Sequence, residues 1–246
     1  MNSTDEKNTP HHKPRPMIDL LVSIIVPSII LMKFSGDDVL GATNGLIIAL
    51  AIPLSWGIYE KVKFKKNNFI AMLGFISILL TGGIGLLELD TQWLAVKEAA
   101  IPGIIGIGVL VSTYTKYPLI KVLLYNPAIM NVKQIKSSLE ERGLVKQFEN
   151  RLLIATYLIS GTFFFSAIMN YILATWIVTS PAGSTAFNEE LGRLTLVSYP
   201  VIAIPSMLMM MAILYFLWKT IRNMTGLKTA DIFVAQEVDE KTDSKN

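Results

Sequence analysis

The chain has 246 residues, of which 52% are hydrophobic and only 17% charged, and its mean hydropathy is +0.48. A soluble domain of this size needs more polar side chains to cover its surface, so the composition indicates a membrane protein. No cysteine is present, and the only histidines, His11 and His12, lie in a polar stretch near the start. This excludes disulfides, thiol nucleophiles and a buried imidazole base or metal site. The net charge of +3 gives no reason to expect nucleic acid as a partner.

Six apolar runs follow one another, each about long enough to cross a ~30 Å hydrocarbon layer at ~1.5 Å per residue. A polar tail, 1–16, precedes them without a small-residue cleavage site after the first run, so a removable signal peptide is not expected. A polar tail, 229–246, follows them, and we expect disorder beyond about Phe233. We predict an all-α, polytopic membrane helix bundle over 17–228. Spans one to six are placed at about 17–34, 41–59, 69–88, 94–114, 152–178 and 194–218.

The positive charges are distributed unevenly between the connections. Nineteen of the 22 lysines and arginines lie in the N-terminal tail, in the connections after spans two and four, and in the C-terminal region after span six. By the positive-inside rule, both termini are therefore predicted to be cytoplasmic. Within the long connection 119–150, Val132, Ile135 and Leu139 share one helical face and Gly143 is a stop signal. We predict a cytoplasmic helix here, which lies on the bundle or the headgroups or docks a partner protein.

Lys97 and Glu98 stand side by side near the start of span four, and Pro102 follows four residues after Glu98. A proline removes one backbone hydrogen bond and frees the carbonyl one turn earlier, which here belongs to Glu98. This coincidence is compatible with a hydrated cavity or ion path and also with a simple kink. Prolines inside spans are candidate hinges, Pro102 and Pro205 above all.

Small residues recur at helical spacing in spans three and four. They are Gly74, Ser77, Thr81 and Gly85, with Gly82 and Gly83 between them, and Ala95, Ala99, Gly103 and Gly106. Such stripes let helix backbones approach closely, so we predict tight packing of span three against span four. At ~100° per residue, Glu98 flanks this stripe and Lys97 points to the opposite side. Lys97 is then expected to extend its ammonium outward to the headgroups near Trp93.

Seven polar residues are candidates for a functional site: Lys97, Glu98, Glu88, Asp90, Arg193, Asn44 and Asn170. The two acidic residues after span three could neutralise Lys97. Arg193 could reach Glu98 or stay with the carboxylates of its own loop. The two asparagines could supply neutral hydrogen bonds, Asn170 together with Ser166 one turn earlier. The sequence predicts no catalytic, cofactor-binding or metal-binding residue.

Several of these features occur together in a known family. A basic connection follows span two, Lys97 lies fourteen residues beyond the pair Gly82-Gly83, and Pro118 to Ile120 follow Lys116. In these features residues 47–120 resemble the intracellular septation protein A family, also called inner membrane-spanning proteins of bacteria. The whole chain also resembles a related six-span bacterial family of unknown function, most clearly in LTGGIGLLELDTQWLAVKEAAIP, KYPLIKVLLYNP and IVTSPAGSTAFNEELGR.

The resemblance implies a multi-pass protein of the bacterial inner membrane, tied to envelope integrity and division, with no established catalytic residues to carry over. That family has an apolar residue at the position of Glu98. The resemblance therefore implies no shared device of Lys97 and Glu98, although it leaves Lys97 alone as a family feature.

Two functions of different classes stay open at this point. The first is envelope maintenance or a division-linked role without catalysis, with the lipid bilayer and envelope or division proteins as partners. The alternative is a small secondary transporter or channel with a polar path near Lys97, Glu98 and Pro102, since proline-broken spans in a three-plus-three count suit inverted repeats. An enzyme is not expected, because the spans lack a GxSG nucleophile with a basic partner and paired phosphotransferase aspartates. A homo-oligomer is compatible with either function.

Overall fold

The computed structural model describes residues 17, 20–64, 69–115, 119, 125 and 130–233. The predicted tail 1–16, the tail beyond Phe233 and most of 116–129 lie outside the described residues. The helices are α1 (Leu21–Lys33), α2 (Gly41–Phe64), α3 (Phe69–Leu86), α4 (Gln92–Ser112), α5 (Val132–Glu141), α6 (Val145–Ile177), α7 (Thr185–Ser198), α8 (Ile204–Thr225) and α9 (Thr229–Ile232). A π-helical turn, Tyr199–Ala203, joins α7 to α8, and α1 itself opens with a π-helical turn, Leu21–Ile25.

Four helical stretches of the described chain are long and apolar enough to cross a membrane, and two shorter apolar helices accompany them. The long stretches are Gly41–Tyr59, Gln92–Ser112, Val145–Ile177 and Thr185–Thr225, and the shorter ones are Leu21–Lys33 and Phe75–Leu86. The predicted all-helical membrane fold is confirmed, and each predicted span overlaps one of these six stretches. The number of crossings and the side of the termini stay predictions.

The described chain forms two compact units. The first holds the residues up to Ile101 together with Ser166–Ile204, and the second holds Pro102–Phe165 together with the residues from Pro205 onward. Each unit has its own apolar core. Leu46, Leu94 and Phe187 are fully buried in the first, whereas Ile135 and Leu217 are fully buried in the second.

The helix predicted within the long connection is confirmed as α5. The Asn131 side chain caps its start by accepting a hydrogen bond from the Gln134 backbone N–H at 3.3 Å. Ile135 and Leu139 are buried in the core of the second unit, as their shared face predicted. Gly143 follows the helix with a positive φ of 66°, the left-handed conformation that often ends helices. The cytoplasmic location of α5 stays a prediction.

The beginning of the predicted C-terminal tail is folded. Residues Thr229–Ile232 form the short helix α9, and the Ile232 side chain is fully buried in the core of the second unit. The Asn131 backbone N–H donates to the Ile232 carbonyl at 2.8 Å, and Met130 pairs with Phe233 in an isolated antiparallel bridge. The polar composition of 229–246 did not predict this contact, because its apolar part comes from the single side chain of Ile232.

The stretch before span six, predicted as a loop that contains Arg193, is largely the helix α7. The Ser184 hydroxyl caps the start by accepting from the Phe187 backbone N–H at 3.1 Å. Phe187, Leu191 and Leu194 are buried along one face. With the π-helical turn and α8, α7 makes a continuous stretch of 41 residues, or about 60 Å at 1.5 Å per residue. This exceeds the ~30 Å of hydrocarbon, so only part of it crosses the bilayer.

Four of the five in-span prolines occupy two kinds of position, and the fifth, Pro200, lies within the π-helical turn Tyr199–Ala203. Pro53 and Pro102 lie inside α2 and α4, which continue past them. Pro27 and Pro205 each lie two residues beyond a π-helical turn, in α1 and α8. A wider π-turn is a recognised way to accommodate a disturbed hydrogen-bond ladder. The hinge roles of Pro102 and Pro205 stay predictions.

Candidate functional site

The candidate site lies where α3 turns into α4, and the turn itself is built by the two acidic candidates. Glu88 ends α3 in the left-handed conformation with a φ of 52°, and the Leu89 backbone N–H donates back to the Ile84 carbonyl at 3.0 Å. This arrangement commonly closes helices, usually with glycine in place of Glu88. The Asp90 Oδ1 then accepts from the Gln92 backbone N–H at 2.8 Å and begins α4.

Lys97 is buried and bonded to both helices of this hairpin. Its side chain is only 7% exposed, and its Nζ lies 2.6 Å from Glu98 Oε1. The same Nζ donates to Thr81 Oγ1 at 2.7 Å, and the Thr81 hydroxyl donates onward to the Ser77 carbonyl at 3.0 Å. Thr81 precedes the end of α3 by five residues and Lys97 follows the start of α4 by five. Both therefore lie at about the same depth, ~7–8 Å from the turn.

Two predictions about the direction of these charges are wrong. Lys97 does not extend to the headgroups, and it is Lys97 rather than Glu98 that contacts α3. Leu94, one turn before Lys97, is fully buried, whereas Trp93 and Val96 are 61% and 46% exposed, so Lys97 lies on the inward face of α4. Neighbouring residues on a helix point about 100° apart. The Lys97 side chain nevertheless bends around the helix to the half-buried Glu98 carboxylate, whose side chain is 29% exposed.

The other ionic partnerships considered from the sequence are not formed. Among the described residues, no ion pair joins Lys97 to Glu88 or Asp90, since both shape the turn instead. Arg193 is exposed on α7 and makes no ion pair with Glu98 or with the acidic residues of its own stretch. One of these, Glu190, accepts four hydrogen bonds of 2.8–3.2 Å from the backbone N–H groups and hydroxyls of Thr179 and Ser180.

The two asparagine candidates make local bonds. Asn44 Nδ2 donates to the Leu40 carbonyl at 3.0 Å, four residues back along the chain. Asn170 Nδ2 donates to the Ser166 carbonyl at 2.8 Å, four residues back within α6. Neither asparagine is bonded to Lys97 or Glu98. The seven polar candidates therefore do not converge on one centre.

The small-residue stripes pack closely, but with other partners than predicted. A Cβ placed at Gly82 would lie 3.2 Å from Leu50 Cδ1 of α2, and one at Gly85 would collide with Leu46 of the same helix. In α4, the Gly106 carbonyl accepts from the Ser160 hydroxyl of α6 at 2.8 Å. Gly83 has free space around its Cβ position, and Gly103 is half-buried. The small residues therefore allow close packing, as predicted, but against α2 and α6 and not between α3 and α4. The hydrogen bond between α3 and α4 involves Thr81.

Sequence reasoning missed a polar contact centred on Asn188 of α7. Asn188 is only 1% exposed. Its Nδ2 donates to the Ala42 carbonyl at the start of α2, at 2.6 Å, and to the Ser35 hydroxyl after α1, at 3.1 Å. The Thr185 hydroxyl donates to the Ser35 carbonyl at 3.2 Å. The sequence signal for this contact was a polar residue, Asn188, directly beside Phe187, which lies on the apolar face of α7.

The same face of α7 comes very close to α1. A Cβ at Gly192 would lie 2.8 Å from Met32 Cγ and 2.9 Å from the Ser28 carbonyl oxygen, so only glycine fits there. Among the residues that the structure describes, two buried polar atoms of this region, Ser28 Oγ and Asn188 Oδ1, find no hydrogen-bond partner. Each has the hydrogen-bonding capacity to hold an ordered water.

No group of three or more potential metal-ligating side chains occurs among the described residues. The arrangement at Lys97 offers one ammonium, one carboxylate and one hydroxyl, all engaged with each other. Chemically, this cluster can link two helices and carry a buried charge pair.

Two curated relatives match part of the sequence. The inner membrane-spanning protein YciB of Shigella dysenteriae is 33% identical over 88 residues, which make up 35% of this chain and 48% of the relative. Its counterpart of the same name in Citrobacter koseri is 31% identical over 88 residues, with the same coverage. The chain thus spans about half the length of the curated relatives it matches. No family model matches the sequence, and no solved structure matches it.

The resemblance predicted from Gly82-Gly83, Lys97 and the basic connection is confirmed by these two relatives. Together with the membrane-length apolar helices, it places the chain as a multi-pass protein of the bacterial inner membrane that is similar to the inner membrane-spanning proteins.

Proposed function

We propose that this chain is a six-span protein, with both termini in the cytoplasm, that maintains the cell envelope in connection with division and performs no catalysis. The observation that carries the proposal is the closed bonding of Lys97. Its charge is answered by Glu98 on its own helix and by Thr81 on the neighbouring one. A buried charge with both partners in place acts as a structural link between α3 and α4.

The surroundings of Lys97 support a structural role over a path for a solute. A path needs several polar groups in sequence along the bundle. The nearby candidates are engaged elsewhere: Asn44 and Asn170 bond to carbonyls of their own helices, and Asp90 starts α4. The similarity to inner membrane-spanning proteins points in the same direction, because it supplies a location and no reaction.

The six-span topology follows from the helices and the charges together. Six apolar helical stretches give an even number of crossings, and the lysine-rich connections follow every second span. The positive-inside rule then places the N-terminus, α5 and the C-terminus on the cytoplasmic side.

The absence of native cysteine allows a direct test. Single cysteines are placed at Lys97, Glu98, Ile101 and Ile105, and intact cells are treated with a membrane-impermeant thiol reagent. We expect no labelling at any of the four, because the proposed structural role needs no water path to these positions. A cysteine at Pro181, which is exposed in the turn after α6, is the positive control for outside exposure, and one at Lys133 is the negative control for a cytoplasmic position.

The envelope role is tested by deletion in the native bacterium. We expect longer cells and greater sensitivity to detergent, with rescue by the unmodified chain. A variant with Lys97→Met and Glu98→Gln together should rescue as well, because it removes the charges and keeps the volume. Normal length and detergent resistance in the deletion strain would contradict the proposed role.

One observation favours the second candidate, a small transporter or channel. The Glu98 side chain is 29% exposed, so its carboxylate is not wholly enclosed by the protein. Labelling at Glu98→Cys and Ile105→Cys in intact cells would mean that water enters beside Pro102. The transport function would then replace the structural one, and the charge-free double variant would fail to rescue the deletion.

A further inference from the structure

An open groove runs along one side of α2 in the first unit. It encloses about 470 Å³ and is lined by Val22 of α1 and by one stripe of seven α2 residues: Ile47, Ile48, Ala51, Ile52, Ser55, Trp56 and Tyr59. This volume lies within the usual range of small-ligand sites. Apart from Trp56 and Tyr59, five of the six lining residues are aliphatic, so the groove suits a hydrocarbon chain.

The length and position of the groove match one leaflet of a bilayer. Ile47 and Tyr59 are twelve residues apart, which corresponds to about 18 Å along the helix. Half of the ~30 Å hydrocarbon layer is ~15 Å. The groove begins at Ile47, six residues after the first residue of α2, and ends at Tyr59, five residues before the last. It therefore lies slightly nearer to the C-terminal end of the helix. In the proposed topology that end faces the cytoplasm.

The chemistry changes at the Tyr59 end. The Trp56 and Tyr59 rings contact each other with centroids 5.7 Å apart, and such aromatic residues are typical of the headgroup level. The sequence continues as EKVKFKK, with four lysines against one glutamate. Position 63 is one helical turn beyond Tyr59 along α2. Basic residues near the headgroup level attract anionic lipid headgroups.

We propose that this groove binds one acyl chain of an anionic phospholipid, whose headgroup phosphate lies at the Lys63 end. The apolar stripe provides the affinity, and the basic end of α2 provides the preference for a negative headgroup. The assignment to the cytoplasmic leaflet rests on the proposed topology, whereas the binding itself does not.

The test measures phospholipid that stays bound to the purified full-length chain in mild detergent, supplied with phosphatidylglycerol and phosphatidylethanolamine. We expect the unmodified chain to retain phosphatidylglycerol preferentially. Ala51→Trp fills the groove and should lower retention about tenfold, equivalent to ~1.4 kcal/mol. Ile107→Trp is the matched control, since Ile107 of α4 is also apolar and exposed. It should retain lipid like the unmodified chain.

Lys63→Gln tests the headgroup. Retained lipid should stay in place while the preference for phosphatidylglycerol falls about fivefold, as expected for one basic residue at the surface. Ile48→Ser provides a second groove variant without added bulk, in case Ala51→Trp does not fold, and it should also weaken retention.

Several outcomes would overturn the proposal. Equal loss in Ala51→Trp and Ile107→Trp, or no lipid on the unmodified chain, would mean that the groove holds only bulk lipid. An unchanged headgroup preference in Lys63→Gln would remove the anionic assignment. Loss of a dimer in Ala51→Trp with unchanged lipid would assign the groove to a second copy. Thiol labelling of Lys63→Cys from outside would instead overturn the topology, independently of lipid retention.

Discussion

The first unit contains two buried polar contacts that differ in charge and in what they connect. Lys97 is charged, and of its two partners one lies on its own helix and one on the preceding helix. Asn188 is neutral, yet it joins α7 to two segments about 150 positions earlier in the chain, through Ser35 and Ala42. The charged contact therefore closes a local hairpin, and the neutral amide holds distant parts of the fold together.

The difference teaches that charge is a poor guide to structural importance inside a membrane protein. A charge draws attention because its burial costs about 2.5–3.5 kcal/mol on insertion scales. That cost is reduced when a partner lies nearby, as Glu98 does for Lys97. An asparagine costs less to bury and offers several hydrogen bonds in one plane, so it can tie more elements together.

The largest expected effect separates the two contacts directly. Asn188→Leu removes the donor of both bonds, so the buried Ser35 hydroxyl loses a partner and the Ala42 carbonyl keeps only its backbone bond within α2. We expect a loss of about 3 kcal/mol in the free energy of unfolding, measured by titration with a denaturing detergent. Asn44→Leu is the control, because that asparagine makes one exposed local bond. Equal effects of both changes would abolish the distinction drawn here.

Gly192→Ala tests whether the close approach of α7 to α1 depends on the absence of a side chain. The added Cβ would lie 2.9 Å from the Ser28 carbonyl oxygen, which belongs to the backbone and cannot rotate away. We expect a loss of about 2 kcal/mol from overpacking. Gly83→Ala, with open space at its Cβ position, should be neutral or slightly stabilising in the same melting experiment.

Glu98→Gln tests the charged contact. The Lys97 ammonium would keep the Thr81 hydroxyl and lose its counter-charge while it stays buried. We expect a loss of about 1–2 kcal/mol, less than for a wholly buried pair because Glu98 is partly exposed. Adding Lys97→Met should restore most of the melting temperature. If the double variant is as unstable as the single one, the pair contributes stability of its own.

The smallest effect is a gain. Glu88→Gly relieves the left-handed backbone at the end of α3, where φ is 52°. The left-handed conformation costs a residue with a side chain about 1–2 kcal/mol. Glycine avoids this cost but loses more chain entropy on folding, so we expect the free energy of unfolding to rise by about 0.5–1 kcal/mol. A lowered melting temperature would show instead that the Glu88 side chain stabilises the turn.

The positions of the membrane helices could be predicted from the sequence because they depend on local composition alone. Long apolar runs require backbone hydrogen bonds within the segment, and helices provide them. The α7 helix was predicted as a loop since Glu189, Glu190 and Arg193 gave it a polar composition. Its apolar face, Phe187, Leu191 and Leu194, has the spacing of an amphipathic helix and was a usable signal.

The directions of Lys97 and Glu98 on α4 were predicted wrongly. The prediction assumed that the small residues of α3 and α4 face each other, and every direction on α4 was measured from that assumption. In the structure Gly85 packs on α2 and Gly106 on α6. Which helix a stripe meets is decided by the whole bundle, and the same holds for the partners of Asn188. Sequence spacing alone contains neither piece of information.

The short turn built by Glu88 and Asp90 has a consequence for biosynthesis. Lys97 emerges from the ribosome soon after Thr81, and the turn between them spans only residues 87–91. The two helices can therefore leave the translocation channel together as a hairpin. Lys97 then enters the lipid with its hydroxyl and carboxylate partners already at hand, and no later helix is needed to neutralise it.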